Sequence, residues 1–302
     1  VSALWRALAT RWDRFWFVPE SPRNLGAARM LVAAHALWVL LSRDPAALSA
    51  LPAVFWTQVL SSTRWRFLIW EGRPELEAIL QWLAVAALAG AIAGVWPRAC
   101  CLASSLLLYH LAPLETIVFT PSPWVKGFTL SVLSLLALSV SRCGDAWSLK
   151  RARVAEHAPA WEYGWPLSLA RFFLCSVYFY AGWAKLAKTG WGWVSAESVQ
   201  RYILQYAQND QTAAFTSLGY WIADRPALCL AAAFGALLVD FGMMVPLVWR
   251  PARRLLPLVA LWHAAIALSF NMAFLEAPLL LLFVDWEGLR RRLRAPARPG
   301  RS

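Results

Sequence analysis

Charge is what this sequence has least of. Only 15% of its 302 residues are Asp, Glu, Lys or Arg, while 60% are hydrophobic. A soluble domain carries about 25% charged and about 45–50% apolar residues, so the scarcity excludes a water-soluble globule and calls for lipid to cover the apolar surplus. Paired cysteines are lacking too. The five present (Cys100, Cys101, Cys143, Cys175 and Cys229) form no CxxC motif, which argues against a zinc site or disulfide framework and for reduced, structural thiols. No metal site is expected. Internal repeats, linkers and low-complexity stretches are missing as well, so the sequence reads as one domain over 1–302, with a basic tail from about 288. The first residues (Trp5, Arg6, Arg11, Trp12, Arg14) have no signal-peptide pattern and read as an interfacial amphipathic segment.

Tryptophan, by contrast, is abundant. The 20 tryptophans cluster between the apolar runs, where an indole meets hydrocarbon on one edge and headgroups on the other. The net charge of +12 raises nucleic acid as a partner, but the placement of the arginines excludes it. They sit at the two chain ends and in short loops. The run Arg290, Arg291, Arg292, Arg294, Arg298 and Arg301 follows the last apolar segment directly, as expected of a juxtamembrane tail facing anionic lipid.

A transmembrane helix needs roughly 20 largely apolar residues. Candidate spans lie near 27–42, 76–96, 99–118, 127–142, 166–186, 227–249, 255–271 and 273–286. Richness in Ala, Leu and Gly fits packed helices rather than barrel strands. The expected fold is therefore an all-α polytopic bundle of about eight transmembrane helices. Lys and Arg set its orientation. With both termini cytoplasmic, the inner segments hold Arg6, Arg11, Arg14, Arg23, Arg98, Arg142, Lys150, Arg151, Arg153, Arg250, Arg253, Arg254 and the six-arginine tail. The outer ones hold Arg43, Arg64, Arg66, Arg73, Lys126, Lys185, Lys188, Arg201 and Arg225. That is 18 against 9, which points to a multi-pass protein of the cell (plasma) membrane, in a bacterium the inner membrane.

Two longer segments then fall outside, about 43–75 and 187–226. The second opens Trp191-Gly192-Trp193 and offers Ser195 as a helix N-cap. Val199, Tyr202, Ile203 and Tyr206 follow as one apolar stripe, which predicts a helix lying flat on the outer leaflet. With Trp65 and Trp70 from the first segment, these tryptophans could roof a cavity.

Ionisable side chains cost about 2.5–3.5 kcal/mol at the centre of a membrane helix, so those present usually face the bundle interior. They are Arg29, His35, His110, Glu115, Arg171, Lys185, Asp240, His263 and Glu276. Arg29 is expected to snorkel to the inner headgroups. Arg171 either does the same or pairs with Asp240. Glu115, Glu276 and His110 lie close enough to the outer surface to be interfacial, Lys185 ends its helix and can reach outward, and His35 reads as an interior histidine bonded to a neighbouring helix. Asp240 and His263 are hardest to bring to water, and a structural carboxylate–imidazole pair is as good a reading of them as a catalytic one.

The stretch from Ser141 to Tyr202 is more specific. It reads Cys143-Gly144-Asp145-Ala146-Trp147-Ser148-Leu149, then Trp165-Pro166-Leu167, Arg171, and Tyr178-Phe179-Tyr180-Ala181-Gly182-Trp183-Ala184-Lys185-Leu186 before Trp191. This pattern resembles the HTTM (horizontally transferred transmembrane) family, related to the membrane domain of vitamin K-dependent gamma-carboxylase. Asn24-Leu25-Gly26-Ala27-Ala28-Arg29 resembles the family's first-helix opening. Asp240, Pro246, Arg250, Arg254 and His263 resemble its acidic–Pro–basic–His series.

The resemblance implies that Lys185 is a base acting on a reduced quinone such as vitamin K hydroquinone, supported by His263 and Asp240. Trp191, Trp193, Tyr178 and Arg171 would be the cofactor-binding residues. Desolvation suits an amine to that task, and a tryptophan roof would exclude water. Three positions depart from the pattern. Asp145 stands where the carboxylase has a histidine, Lys150 where an acidic residue is usual, and Ala184 where the first of two lysines is expected. A large domain to dock a glutamate-rich substrate is not in view either. Two functions stay open: a gamma-carboxylase-like or quinone-epoxidase-like enzyme acting on a quinone or lipid-like substrate in the outer half of the bundle, or a non-catalytic membrane factor for the maturation, export or immunity of a small peptide. A transporter ranks last, because discontinuous helices and pseudo-symmetric halves are not evident.

Overall fold

A computed structural model describes residues 3–52, 54, 73–119, 129–149, 158–207, 216–270, 272 and 274–294. Among them the chain is helical, with a single isolated bridge between Glu20 and Ala160. Among the described residues, five helical stretches are long and apolar enough to cross a membrane: Pro22–Leu41, Pro74–Ala93, Trp161–Trp193, Pro226–Val248 and Arg250–Phe270. This is a multi-pass membrane protein.

The distribution of side chains agrees. In a soluble fold the apolar residues are inside; here large ones such as Ile79, Trp82, Leu106, Phe234, Leu258 and Leu261 face outward, while Arg29, His35, Ser104, Ser131 and Asp240 are buried. Only 22% of the most apolar window of Pro74–Ala93 is covered by the rest of the chain. That leaves most of the helix for lipid, which carries no penalty for an exposed leucine.

The chain divides into two compact units, residues 1–170 with 281–302, and residues 171–280. The first contains α1 (Ala3–Trp16), α2 (Pro22–Leu41), α3 (Pro45–Ser49), α4 (Pro74–Ala93), α5 (Pro97–Phe119), α6 (Thr129–Ser139), the first turns of α7 (Trp161–Thr189), and α13 (Trp286–Arg294). Proline opens α2, α3, α4 and α5, where its fixed φ suits the first turn and its missing N–H has no bond to make. Ser21 and Asp44 cap α2 and α3 through their side chains. α4 ends at Gly94, in the left-handed region at φ +73°, the usual way for a helix to satisfy its last carbonyls. Within this unit α4 packs on α5, α5 on α6, and α2 on α4, α6 and α13.

The second unit holds the rest of α7, then α8 (Ala196–Ala207), α9 (Leu218–Ala223), α10 (Pro226–Gly242), α11 (Val245–Val248) and α12 (Leu256–Phe270). Ser195 caps α8 by accepting from the Ser198 amide, as the sequence predicts. Val199 and Ile203 are not laid on lipid, however. They pack with Cys229 and Ala233 of α10 into a small core, while Tyr202 and Tyr206 stack on each other at 5.9 Å.

Two predicted spans change character. Within the predicted 273–286 span, the described residues before Trp286 include a 3-10 helix, Ala277–Phe283, of 7 residues rather than an α-helix. At about 2.0 Å per residue it covers about 14 Å, half of the hydrocarbon thickness. The predicted 166–186 span is a longer helix of 29 residues, so Lys185 lies inside it rather than at its end.

Candidate functional site

The site is built on one face of α7. Arg171, Cys175, Tyr178, Gly182 and Lys185 recur at steps of four and three, which places them in one stripe. Gly182 decides what that stripe can meet. A Cβ at this position would lie 2.9 Å from Asp240 Cβ and 3.1 Å from the Phe241 ring, well inside carbon–carbon contact distance. The bare glycine therefore lets α10 press against α7. One turn further on, Lys185 Nζ donates to Asp240 Oδ2 at 2.6 Å. Phe179 meets the Phe241 ring edge-on at 5.4 Å beside the contact.

One turn in the other direction, the Tyr178 hydroxyl and His263 Nε2 of α12 are 2.7 Å apart. Both residues are buried. The His263 ring also packs against Phe274 at 4.8 Å. His263 Nδ1 is buried and has no hydrogen-bond partner among the described residues. Whichever ring nitrogen carries the proton, Nδ1 is left with a donor or an acceptor unmet, and such a group costs about 1–3 kcal/mol when nothing satisfies it. Asp240 and Glu276 both lie within electrostatic range of the Tyr178 hydroxyl. An ion pair and a phenol–imidazole pair thus share one face over about 10 Å of helix. Chemically, this arrangement holds exchangeable protons on Lys185 Nζ and Tyr178 Oη, beside acceptors on Asp240 and His263.

The pairing differs from what the sequence suggested. Asp240 partners Lys185 rather than His263 or Arg171, and His263 partners Tyr178. Arg171 is buried but stands eleven residues from Gly182, about 16 Å along the helix, which separates it from the ion pair. Among the expected aromatic groups, Trp193 is buried, with Lys185 Nζ 5.5 Å from its ring centre, a cation–π distance. Trp191 is 78% exposed and takes no part in these contacts. Trp65, Trp70 and Lys150 lie outside the described residues. The packing role of Gly182, which the sequence offers only as part of a motif, was missed, as were Phe274 and the closeness of Glu276 to Tyr178. A glycine three residues before an intramembrane lysine is the signal that could have found the first.

Other polar residues within the apolar helices are tied to neighbouring backbone and side chains. Arg29 does not snorkel. It is completely buried, and its guanidinium donates to the carbonyls of Cys143 and Trp147 and to Ser148 Oγ. The 143–148 loop folds over the start of α2, and its carbonyl dipoles replace water around the charge. Asp145 accepts from Arg142 at 2.8 Å and from the Tyr163 hydroxyl at 2.9 Å, which makes it a clamp for that loop. His35 bonds Ser131 on α6, as expected of an interior histidine. His110 is not merely interfacial, since it meets the fully buried carboxylate of Glu77 at 3.0 Å. Glu77 was passed over because it sits in the first turn of its helix, beside a charged segment. No side-chain description covers Glu115. Comparison of the chain with protein-family models, with curated proteins and with solved structures gives no match.

Proposed function

We propose that this chain is an HTTM-type protein of the plasma membrane that binds a quinone or similar lipid-soluble molecule against the α7 face, with Lys185 as its proton-exchanging base. The observation that carries this reading is the Lys185–Asp240 contact beside the Tyr178–His263 pair, with His263 Nδ1 unmet. Both lie inside helices apolar enough to be surrounded by lipid. A buried, unmet ring nitrogen fits a ligand hydroxyl or carbonyl. Tyr178, His263 and Lys185 are the residues that would hold it, with Trp193 covering the amine.

In the resting arrangement Asp240 Oδ2 holds the Lys185 ammonium. Transfer of that proton to Asp240 would free the Nζ lone pair to accept one from a ligand hydroxyl, so that the pair gains one proton in all: a Lys185 ammonium beside a neutral Asp240 carboxyl, with the negative charge now on the ligand oxygen. His263 Nε2 offers a second station through Tyr178. A reduced quinone supplies two hydroxyl protons and two electrons when bound. Phe179, Phe241 and Trp193 keep water from these atoms.

Both termini belong on the cytoplasmic face in this proposal. Segments with an arginine excess meet at one end of the first unit: Arg23 pairs with Glu287 at 2.6 Å, Glu20 bridges to Ala160, and Arg98 bonds the Ser141 carbonyl. An eighth crossing near 273–286 would then contain the 3-10 helix Ala277–Phe283. Non-helical backbone at that depth is tolerated where protein covers it, and Leu279, Leu280, Leu282 and Phe283 are all buried.

Wild-type protein in nanodiscs, given reduced quinone under oxygen, should yield oxidised or epoxidised product above the protein-free rate. Equal yield from Lys185→Ala would sink the assignment.

A further inference from the structure

We propose that the groove between the α4–α5 turn and the 142–148 loop binds a phosphate-bearing headgroup through Arg98. The groove is an open depression of about 660 Å³ whose lining includes Trp96, Arg98, Arg142, Asp145 and Ser148. That volume suits a small polar ligand, and the site belongs wholly to the first unit, apart from the α7 cluster.

Its walls are built to stay in place. Gly94 lies so close to Ser148 that a Cβ would come within 2.5 Å of the Ser148 Cα, and Gly144 fits over Pro97 in the same way. Trp96 and Trp147 both adopt positive φ, 42° and 54°, a conformation that bulky side chains avoid. Backbone held in that region is a recognised mark of a functional position. The two indoles are exposed, as expected of rings at the headgroup level.

Among the described residues, the charges in the groove leave one cation, Arg98, without an acidic partner. Asp145 is matched by Arg142 and the Tyr163 hydroxyl, and Arg142 also lies 3.8 Å from Glu162. Arg98 is exposed, and only its Nε is engaged, donating to the Ser141 carbonyl at 2.6 Å. That bond fixes the plane of the guanidinium. Its two Nη groups have no protein partner among the described residues, and they form the fork that takes two phosphate oxygens at once. Basic pockets between membrane helices recognise anionic headgroups on this principle. A lipid phosphate and a soluble phosphate ester share the same chemistry.

Delipidated full-length protein, titrated with phosphatidylglycerol or phosphatidylcholine and read by native mass spectrometry, tests the lipid source. Thermal unfolding with added glycerol phosphate tests the soluble one. Arg98→Gln should weaken the preferred ligand about fivefold, the worth of one arginine near an anionic surface. Arg98→Lys, which keeps the charge without the fork, should fall between Arg98→Gln and wild type. Arg254→Gln, which removes an exposed arginine elsewhere, should leave binding unchanged. Preference for phosphatidylglycerol that Arg98→Gln weakens about fivefold supports a lipid site, and stabilisation by glycerol phosphate that Arg98→Gln weakens likewise supports a soluble one. Equal binding by wild type, Arg98→Lys and Arg98→Gln overturns the proposal, as does an equal loss in Arg254→Gln.

Discussion

Replacing Gly182 with alanine should uncouple Lys185 from Asp240 without touching either residue. The added methyl carbon would lie 2.9 Å from Asp240 Cβ, whereas carbon atoms rest at about 3.5–4.0 Å, so α10 must retreat by about 0.6–1.1 Å. If Asp240 moves with its helix, the 2.6 Å Nζ–Oδ2 contact opens to about 3.2–3.7 Å, beyond the range of a strong charge-assisted bond. Overpacking costs about 1–3 kcal/mol, and the better helix propensity of alanine returns about 1 kcal/mol. The net loss of about 0–2 kcal/mol leaves the protein folded. A double-mutant cycle read by denaturant unfolding in detergent micelles measures the effect. In the native background Asp240→Asn should cost about 3–5 kcal/mol, as expected when one member of a buried pair is stranded. In the Gly182→Ala background it should cost less than half of that. Strictly additive losses would mean that Gly182 does not set the contact, and the account of the α7 face would fail.

Three further outcomes follow from the same contacts. The double replacement Lys185→Met with Asp240→Leu should recover most of the stability lost by either single change, because a matched apolar pair strands no charge, yet should abolish quinone turnover; thermal unfolding and product analysis separate the two effects. Arg29→Ala should destabilise the first unit by about 2–4 kcal/mol, since the loop carbonyls it serves are left unmet; hydrogen exchange should show the loss first at residues 143–148. The Glu287 carboxyl is held below the usual carboxylate range by hydrogen bonds from Arg23 and then Arg291. Because the folded-state value is depressed, its contribution is present above the unfolded value of about 4.3 and is lost as pH falls through the folded value. The protection of α13 amides relative to their intrinsic exchange rate should therefore fall on acidification below about pH 4, and Glu287→Gln should flatten that response.

The membrane character was legible because composition alone demands it, and Lys185, Asp240 and His263 stood out as charges within apolar runs. Their partners were not legible. Helix periodicity says which residues share a face of α7, but not which neighbour that face meets, and the answer turned on one glycine. Arg29 shows the opposite failure. Its depth in sequence, two turns into α2, made the headgroups the obvious destination, because nothing local says that a loop over a hundred residues later folds across it. The 3-10 backbone within the 273–286 segment was not legible for a third reason. Its apolar run satisfies a hydropathy window whether the backbone is α-helical or not, so burial against protein and burial in lipid look alike. Glu77 was lost to its neighbourhood, a charged helix start that made one more carboxylate unremarkable until His110 was placed against it.

The central claim is that a lipid-soluble ligand sits on the α7 face within reach of Lys185, Tyr178 and His263. Photolabelling with an azidoquinone in nanodiscs, followed by peptide mapping, tests it most directly. Label should appear in peptides covering Tyr178–Lys185 and His263, be displaced by unlabelled quinone, and disappear from both in His263→Ala. Label spread evenly over the lipid-facing helices, or confined to the first unit and indifferent to competitor, would contradict it.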